Sequence, residues 1–199
     1  MRSAFDKLIS WTGLGLAAVL LMAGGLLTWA HTFIDNQVHD QLSMQGITMP
    51  EGDAVASLPK ADQAALKEYA GSPLDTGPEA KAFSDHYILV HMNESSGGRT
   101  YEEVSGEFIG LSDADKASPD GQALAGLRQT LFMGSTLRGL LLYGYAFATM
   151  GTIAGIAAIL SFGAGIALLV LAALGLWHSR RAGLVTEPRV SGAVVPQPA

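Results

Sequence analysis

The side chains best able to do chemistry in this sequence are three histidines between residues 39 and 91, two of which have an aspartate beside them. His39 precedes Asp40, His86 follows Asp85, and His91 lies five residues after His86. Two histidines and a carboxylate are the ligands of non-haem ferrous sites, so this set suggests a metal-binding hypothesis. Histidines that share one ion from one helix prefer i, i+4 spacing, whereas a five-residue spacing turns the two rings about 140° apart. We therefore expect ordinary, locally hydrogen-bonded histidines and no metal site.

Other catalytic and cofactor patterns do not occur in the sequence. Asp113, Asp115 and Asp120 resemble part of a calcium loop, but the sixth position is Ser118 instead of glycine, and no glutamate closes the loop. The sequence contains no nucleophile elbow, phosphate loop or dinucleotide fingerprint. Without cysteine, it has neither thiolate ligands nor a thiolate nucleophile. We predict no catalytic residue and no cofactor, and hence a protein that is not an enzyme.

Glycines at regular positions in two long apolar segments suggest helix packing. Gly13 and Gly24 lie in the first segment, and Gly151 and Gly155 form a G-x-x-x-G pair in the second. Small residues let helices approach closely inside a membrane, where van der Waals contact replaces the missing hydrophobic force. We predict that these four glycines pack the two segments on each other. They also fit association with a second copy of the chain or with another membrane protein.

Aromatic and basic residues mark the ends of the apolar segments. Tryptophan and tyrosine favour the headgroup region of a bilayer, and arginine extends toward it. The predicted anchors at the membrane interface are Trp11, Trp29, Arg138, Tyr143, Tyr145 and Trp177. Arg138 also has a second interpretation, an ion pair with a carboxylate of the central acidic segment such as Asp35 or Asp40.

The two apolar segments are long enough to cross a bilayer. Charged residues are missing from 8–34 and from 139–177, and each run exceeds the roughly 20 residues that a crossing requires. The first run is also longer than the ~7–15 apolar residues of a cleaved signal peptide, which favours an uncleaved signal anchor. The second is long enough for a hairpin. A hairpin would place Arg180 and Arg181 outside, so we favour one crossing.

Charge is distributed unevenly along the chain. Residues 35–128 contain sixteen Asp and Glu against six Lys and Arg, a net charge of −10. Basic residues lie beyond each apolar run, on the side away from this acidic segment: Arg2, Lys7, Arg180, Arg181 and Arg189. Basic flanks lie in the cytoplasm, so both termini are expected there, with the acidic centre outside the plasma membrane of a bacterium. An acidic domain excludes nucleic acid as a partner and leaves the lipid bilayer and other proteins.

These observations predict a mainly α membrane protein with two transmembrane helices and a small helical extracytoplasmic domain between them. The predicted divisions are a cytoplasmic tail at 1–7, a first transmembrane helix at 8–34 and an acidic helical domain at 35–135. An interfacial helix plus the second transmembrane helix follow at 136–177, and a disordered cytoplasmic tail at 178–199.

Three local patterns add detail to the acidic domain. Ile34, Val38 and Leu42 recur every fourth residue and predict that the first helix continues into the domain for one or two turns. The segment 100–103 reads as a capping box, and 119–121, Pro-Asp-Gly, reads as a turn.

Several stretches together resemble a widespread family of small actinobacterial membrane proteins. The resemblance covers the chain from the first apolar segment to the end of the second. It is carried by FIDNQVHDQL at 33–42, QGITMP at 45–50, EYAG at 68–71, DHYILVH at 85–91, GRTY at 98–101, TLRGLLL at 136–142 and YAF at 145–147. It implies an actinobacterial plasma membrane and carries over no functional residues.

Members of that family are often called aromatic ring-opening dioxygenases, a name that these residues do not support. Such enzymes are soluble and hold ferrous iron with two histidines and one carboxylate. Our first functional hypothesis is a non-enzymatic interaction protein, either an accessory subunit or an envelope scaffold. The alternative is an extracytoplasmic ligand sensor that lacks its own output domain, since both predicted tails are short. An iron-dependent ring-opening dioxygenase is a remote third.

Overall fold

The computed structural model describes residues 2–184, which are almost entirely helical. No strand occurs in this range, and one isolated antiparallel bridge joins Thr48 to Pro73. The prediction of a mainly α protein is confirmed. The α-helices in this part of the chain are α1 (Arg2–Ser43), α2 (Asp53–Ala56), α3 (Lys60–Leu66), α4 (Gly77–Phe83), α5 (Leu89–Ser96), α6 (Tyr101–Gly110), α7 (Asp113–Ala117) and α8 (Pro119–Leu184). A 3-10 turn follows α3 at Lys67–Tyr69, and a π-helical turn at Ser84–Ile88 joins α4 to α5.

Short polar side chains begin several of these helices. Thr76 and Thr100 each form a capping box, in which the hydroxyl accepts the N–H of Glu79 or Glu103 and the glutamate accepts the N–H of the threonine. The capping box expected at 100–103 is therefore present. At the other end of α5, Gly97 adopts a φ of 65°, a left-handed conformation that favours glycine, and ends the helix.

Two helices are long and apolar enough to cross a membrane. By length and composition the candidate spans lie within Lys7–Ser43 of α1 and Pro119–Arg181 of α8. α8 contains no break between Pro119 and Leu184, so the hairpin considered for residues 139–177 has no turn at which to reverse.

α1 continues to Ser43, so the helix extends about two turns past Asp35, as the spacing of Ile34, Val38 and Leu42 predicts. α8 extends further than expected at both ends. The Pro-Asp-Gly at 119–121 opens α8 and does not form a free turn, because a proline at the first helical position loses no hydrogen bond. α8 also continues to Leu184, into the segment predicted to be disordered from 178. The rest of that tail lies outside the described residues.

The chain divides into two compact units. The first, which we call the two-helix unit, consists of Met1–Trp29 and Ala154–Ala199. The second, the central unit, is Ala30–Ile153. The central unit therefore includes α8 as far as residue 153, whereas the predicted acidic domain ends at 135.

In the two-helix unit, α1 and α8 run antiparallel with small residues at their contacts. A Cβ placed on Gly13 would lie 3.5 Å from the Cβ of Ala172, and one on Gly24 would lie 3.0 Å from the ring of Phe162. The side chains on the outside are large and apolar, as expected of helices that face lipid.

The core of the central unit is formed where the short helices pack on α1 and α8. Leu42 of α1 and Leu141 of α8 are buried together with residues of the segments between them. Those core residues are Met49, Leu58, Leu66, Leu74, Ala80 and Ala82. Burial of Leu141 explains why the unit includes α8 beyond residue 135: the core would lose one wall without it.

Candidate functional site

The histidines considered as metal ligands are bonded separately within the central unit. Nδ1 of His86 lies 2.7 Å from Oδ1 of Asp62, and Nδ1 of His91 lies 2.8 Å from the carbonyl oxygen of Tyr87. His39 lies on α1, 3.7 Å from a carboxylate oxygen of Asp75. Within residues 2–184, no three His, Cys, Asp or Glu side chains are grouped so that they could hold a metal ion.

Arg138 attaches α8 to the π-helical turn. Its Nε donates to the carbonyl oxygen of Ser84 at 3.0 Å, and its Nη2 donates to Oδ1 of Asp85 at 3.0 Å. Lys81 donates to the other oxygen of Asp85 at 2.5 Å. Burial alone would raise the pKa of Asp85, but the hydrogen bonds from Lys81 and Arg138 outweigh it and lower that pKa. The Ser84 hydroxyl is buried and has no hydrogen-bond partner among residues 2–184.

Arg138 forms the expected ion pair with a carboxylate of the acidic segment, but the partner differs from the examples given. The guanidinium pairs with Asp85 of the π-helical turn and not with Asp35 or Asp40 of α1. Helix spacing could not identify this partner, because 53 residues separate Arg138 from Asp85. The guanidinium is thus bonded inside the central unit. An interfacial anchor would instead extend toward lipid headgroups.

The remaining predicted anchors fall into two groups. Trp11, Trp29 and Trp177 are exposed on the two long helices, where a lipid interface would receive them. Tyr143 is exposed on α8 in the central unit, while Tyr145 is half-buried with the Lys81 ammonium 5.6 Å from its ring centroid.

Three of the four glycines predicted to pack helices, Gly13, Gly24 and Gly151, lie at contacts between α1 and α8. Gly13 and Gly24 contact α8 in the two-helix unit, as described above. In the central unit, a Cβ on Gly151 would lie 3.1 Å from Cγ2 of Ile34 on α1. Gly155, which like Gly151 lies on α8, is half-buried. Gly144, which sequence reasoning missed, contacts Leu42 in the same manner, with 3.5 Å from an added Cβ.

An elongated groove lies between α1 and α8 in the central unit, with a volume of about 460 Å³. We call it the α1/α8 groove. Its lining residues are Phe33, Ile34, Gln37, Val38, Gln41 and Leu42 from α1, Gln45 from the turn after α1, and Leu140, Tyr143, Gly144 and Phe147 from α8. The α1 wall from Phe33 to Leu42 covers ten residues, or about 15 Å at the rise of an α-helix.

The rim of the groove is formed by four large side chains that are each at least half exposed. The exposed fractions are 51% for Phe33, 60% for Leu140, 67% for Tyr143 and 53% for Phe147. Leu42 and Ile34 form the floor, where Gly144 lets the two helices approach. A hollow with protruding aromatic edges is a surface suited to receive another molecule.

One wall carries neutral polar groups in a row. Gln37 and Gln41 of α1 and Gln45 of the turn after α1 follow one another at four-residue spacing, and the amide nitrogen of Gln41 donates to the amide oxygen of Gln37 at 3.4 Å. No lining residue is charged, although residues 35–128 carry a net charge of −10. The groove is therefore an uncharged surface on an acidic unit.

The groove lies beside the charged part of α1. Ile34 contacts Gly151 and Leu42 contacts Gly144, so the part of α8 before Gly151 runs beside the charged part of α1 that begins at Asp35. The uncharged residues of α8 that line the groove therefore lie next to a segment of α1 that carries carboxylates.

The sequence contains a signal for one wall of this groove. Ile34, Val38 and Leu42 predict that the helix continues, and the glutamine row lies beside them with the same four-residue spacing. What the spacing could not show is that Leu140, Tyr143 and Phe147 lie opposite, since that depends on how α8 packs on α1.

No family model matches the sequence, and neither the curated proteins nor the solved structures contain a match to it.

Proposed function

We propose that the chain is a non-enzymatic membrane protein whose central unit binds other protein through the α1/α8 groove, as an accessory subunit or an envelope scaffold. The observation that carries this proposal is the uncharged groove itself. It exposes four large apolar side chains next to a row of amides. Exposed apolar patches rimmed by polar groups mark interaction surfaces in soluble and membrane-anchored domains.

The proposed location is a bacterial plasma membrane, with both termini in the cytoplasm and the central unit outside. The support is the charge distribution: basic residues flank the candidate spans at the chain ends, and the net charge of 35–128 is −10. The two candidate spans then anchor the central unit, and the groove is presented at the outer surface of the membrane.

A ligand sensor is the second candidate function, favoured by the volume of the groove. About 460 Å³ lies within the range of small-molecule sites, which is roughly 300–1,000 Å³. The amide row favours protein over an apolar metabolite, because a buried amide without a partner costs about 1–3 kcal/mol.

Photo-crosslinking in native membranes tests the proposal. A benzophenone amino acid is placed at Phe147 in the full chain, and at Thr149 as the control. Thr149 is also exposed on α8, and two residues of helix turn it about 200° away from the groove. Adducts are identified by mass spectrometry, including the crosslinked residue of the partner.

We expect protein adducts at position 147 in several-fold excess over position 149. An excess of small-molecule adducts at position 147 would favour the sensor. Equal protein adducts at the two positions, or none at either, would contradict the proposal.

A further inference from the structure

We infer that the occupant of the α1/α8 groove is the same face of a second copy of this chain, related to the first by a two-fold axis. The inference rests on the proposed function, in which the groove binds protein. In such a pair the exposed rings of Tyr143 and Phe147 of each copy enter the groove of the other.

The shape of the face is self-complementary. A two-fold interface requires one patch to contain both the protrusion and the hollow that receives it. Here the rim residues Tyr143 and Phe147 protrude beside a hollow whose floor is Leu42 and Gly144. Aromatic side chains that fill a partner's pocket contribute much of the binding energy in protein interfaces.

The hydrogen-bonding groups of the face are self-complementary as well. An amide contains a donor and an acceptor, so Gln37, Gln41 and Gln45 can bond to the same row of a second copy. A row of carboxylates or ammonium groups would instead repel its own copy. Lipid tails offer these amides no partner, which makes a second protein face the better occupant.

Electrostatics limits where two copies can meet. Each copy carries a net charge of −10 over residues 35–128, so most faces would bring carboxylates together. The α1/α8 groove avoids this cost because none of its lining residues is charged. The residual repulsion between the acidic units acts at longer range. Salt screens it, with a Debye length of about 8 Å at physiological ionic strength.

The apolar face is longer than the groove. Met133 and Leu137 continue it toward the start of α8, and Met150 continues it toward the candidate span, all with exposed side chains. From Met133 to Met150 the face extends about 25 Å along the helix. Two copies anchored in one bilayer present this face at the same height and at a high effective concentration, which favours the pair.

Disulfide crosslinking tests the pairing with little background, because the chain has no cysteine of its own. Tyr143→Cys and Phe147→Cys are compared with Thr149→Cys in the full chain, reconstituted in vesicles of phosphatidylethanolamine and phosphatidylglycerol. A disulfide needs Cβ atoms about 3.5–4.5 Å apart, so residues that meet across the axis link and those facing away do not. We expect several-fold more covalent dimer at one or both groove positions than at Thr149.

A negative charge introduced into the groove provides the second measurement. Gln41→Glu places a carboxylate opposite its own copy, whereas Asn36→Asp adds the same charge to an exposed position of α1 that does not line the groove. We expect Gln41→Glu to lower the dimer fraction about tenfold at low salt, with partial recovery at high salt, and Asn36→Asp to have little effect.

The outcomes separate the inference from the function on which it rests. If the groove cysteines link no better than Thr149→Cys while position 147 still photo-crosslinks to another protein, self-pairing is wrong and the docking function stands. If neither method finds protein at the groove, both are wrong. An equal loss of dimer with Gln41→Glu and Asn36→Asp also contradicts self-pairing.

Discussion

At the scale of single residues, Glu79 organises the start of α4. Its buried carboxylate accepts the hydroxyl of Ser72 at 2.8 Å, the N–H of Asp75 at 3.1 Å, and both the N–H and the hydroxyl of Thr76. Burial alone would raise the pKa of Glu79. The hydrogen bonds from Asp75, Thr76 and Ser72 together outweigh burial, and the pKa is lowered.

This pKa predicts how the stability of the central unit depends on pH. A carboxyl whose pKa is lower in the folded state stabilises the protein above its unfolded pKa, about 4.3 for glutamate. That stabilisation is lost as the pH falls through the lower, folded pKa. Glu79→Gln replaces one acceptor oxygen by an NH₂ group that faces N–H donors, so we expect a loss of about 1–3 kcal/mol at pH 7.

The measurement is denaturant unfolding of the full chain in detergent micelles from pH 7 to pH 3, followed by circular dichroism. The wild type should lose stability toward acid more steeply than Glu79→Gln. Glu94→Gln, at an exposed position of α5, is the control and should behave as wild type. The assignment is wrong if Glu79→Gln has the same pH dependence as the wild type.

At the scale of elements, the packing of α4 on α8 depends on a glycine at the contact. A Cβ on Gly77 would overlap the Cβ of Ala148 and lie 3.3 Å from Cα of Tyr145. The backbone of α8 cannot move away without shifting the core residue Leu141. By contrast, a Cβ on Gly106 in the middle of α6 would meet nothing within 4 Å.

These two glycines predict opposite effects of the same substitution. We expect Gly77→Ala to destabilise the central unit by about 1–3 kcal/mol through overpacking. Gly106→Ala should stabilise it by about 0.5–1 kcal/mol, because alanine restricts the unfolded chain and favours helix. Denaturant midpoints of the two variants in micelles give both values. Equal shifts in the two midpoints would contradict the packing described for α4.

At the scale of the whole molecule, the charge distribution predicts the topology. Ser95→Cys lies in the central unit, and Ser191→Cys follows the basic residues after the second candidate span. A maleimide that does not cross membranes should label Ser95→Cys in intact protoplasts and label Ser191→Cys after the membrane is opened. Immediate labelling of Ser191→Cys, or protection of Ser95→Cys, would reverse the proposed orientation.

Several features of this chain follow from local residue patterns. The uncharged runs 8–34 and 139–177 identify both candidate spans, because length and composition suffice for that inference. The capping box at Thr100 can be predicted because its two members, Thr100 and Glu103, are three residues apart in the sequence. The start of α8 did not follow, since Pro119 is compatible with both a turn and a helix start.

Packing between distant segments settled the rest. Arg138 pairs with Asp85, and Leu140, Tyr143 and Phe147 face the glutamine row of α1. Contacts between residues 50 to 100 positions apart depend on the register in which helices pack, and that register is set by the fit of many side chains in the core. Periodicity shows which face of a helix is apolar, whereas the folded chain shows which part of that face is left uncovered for a partner.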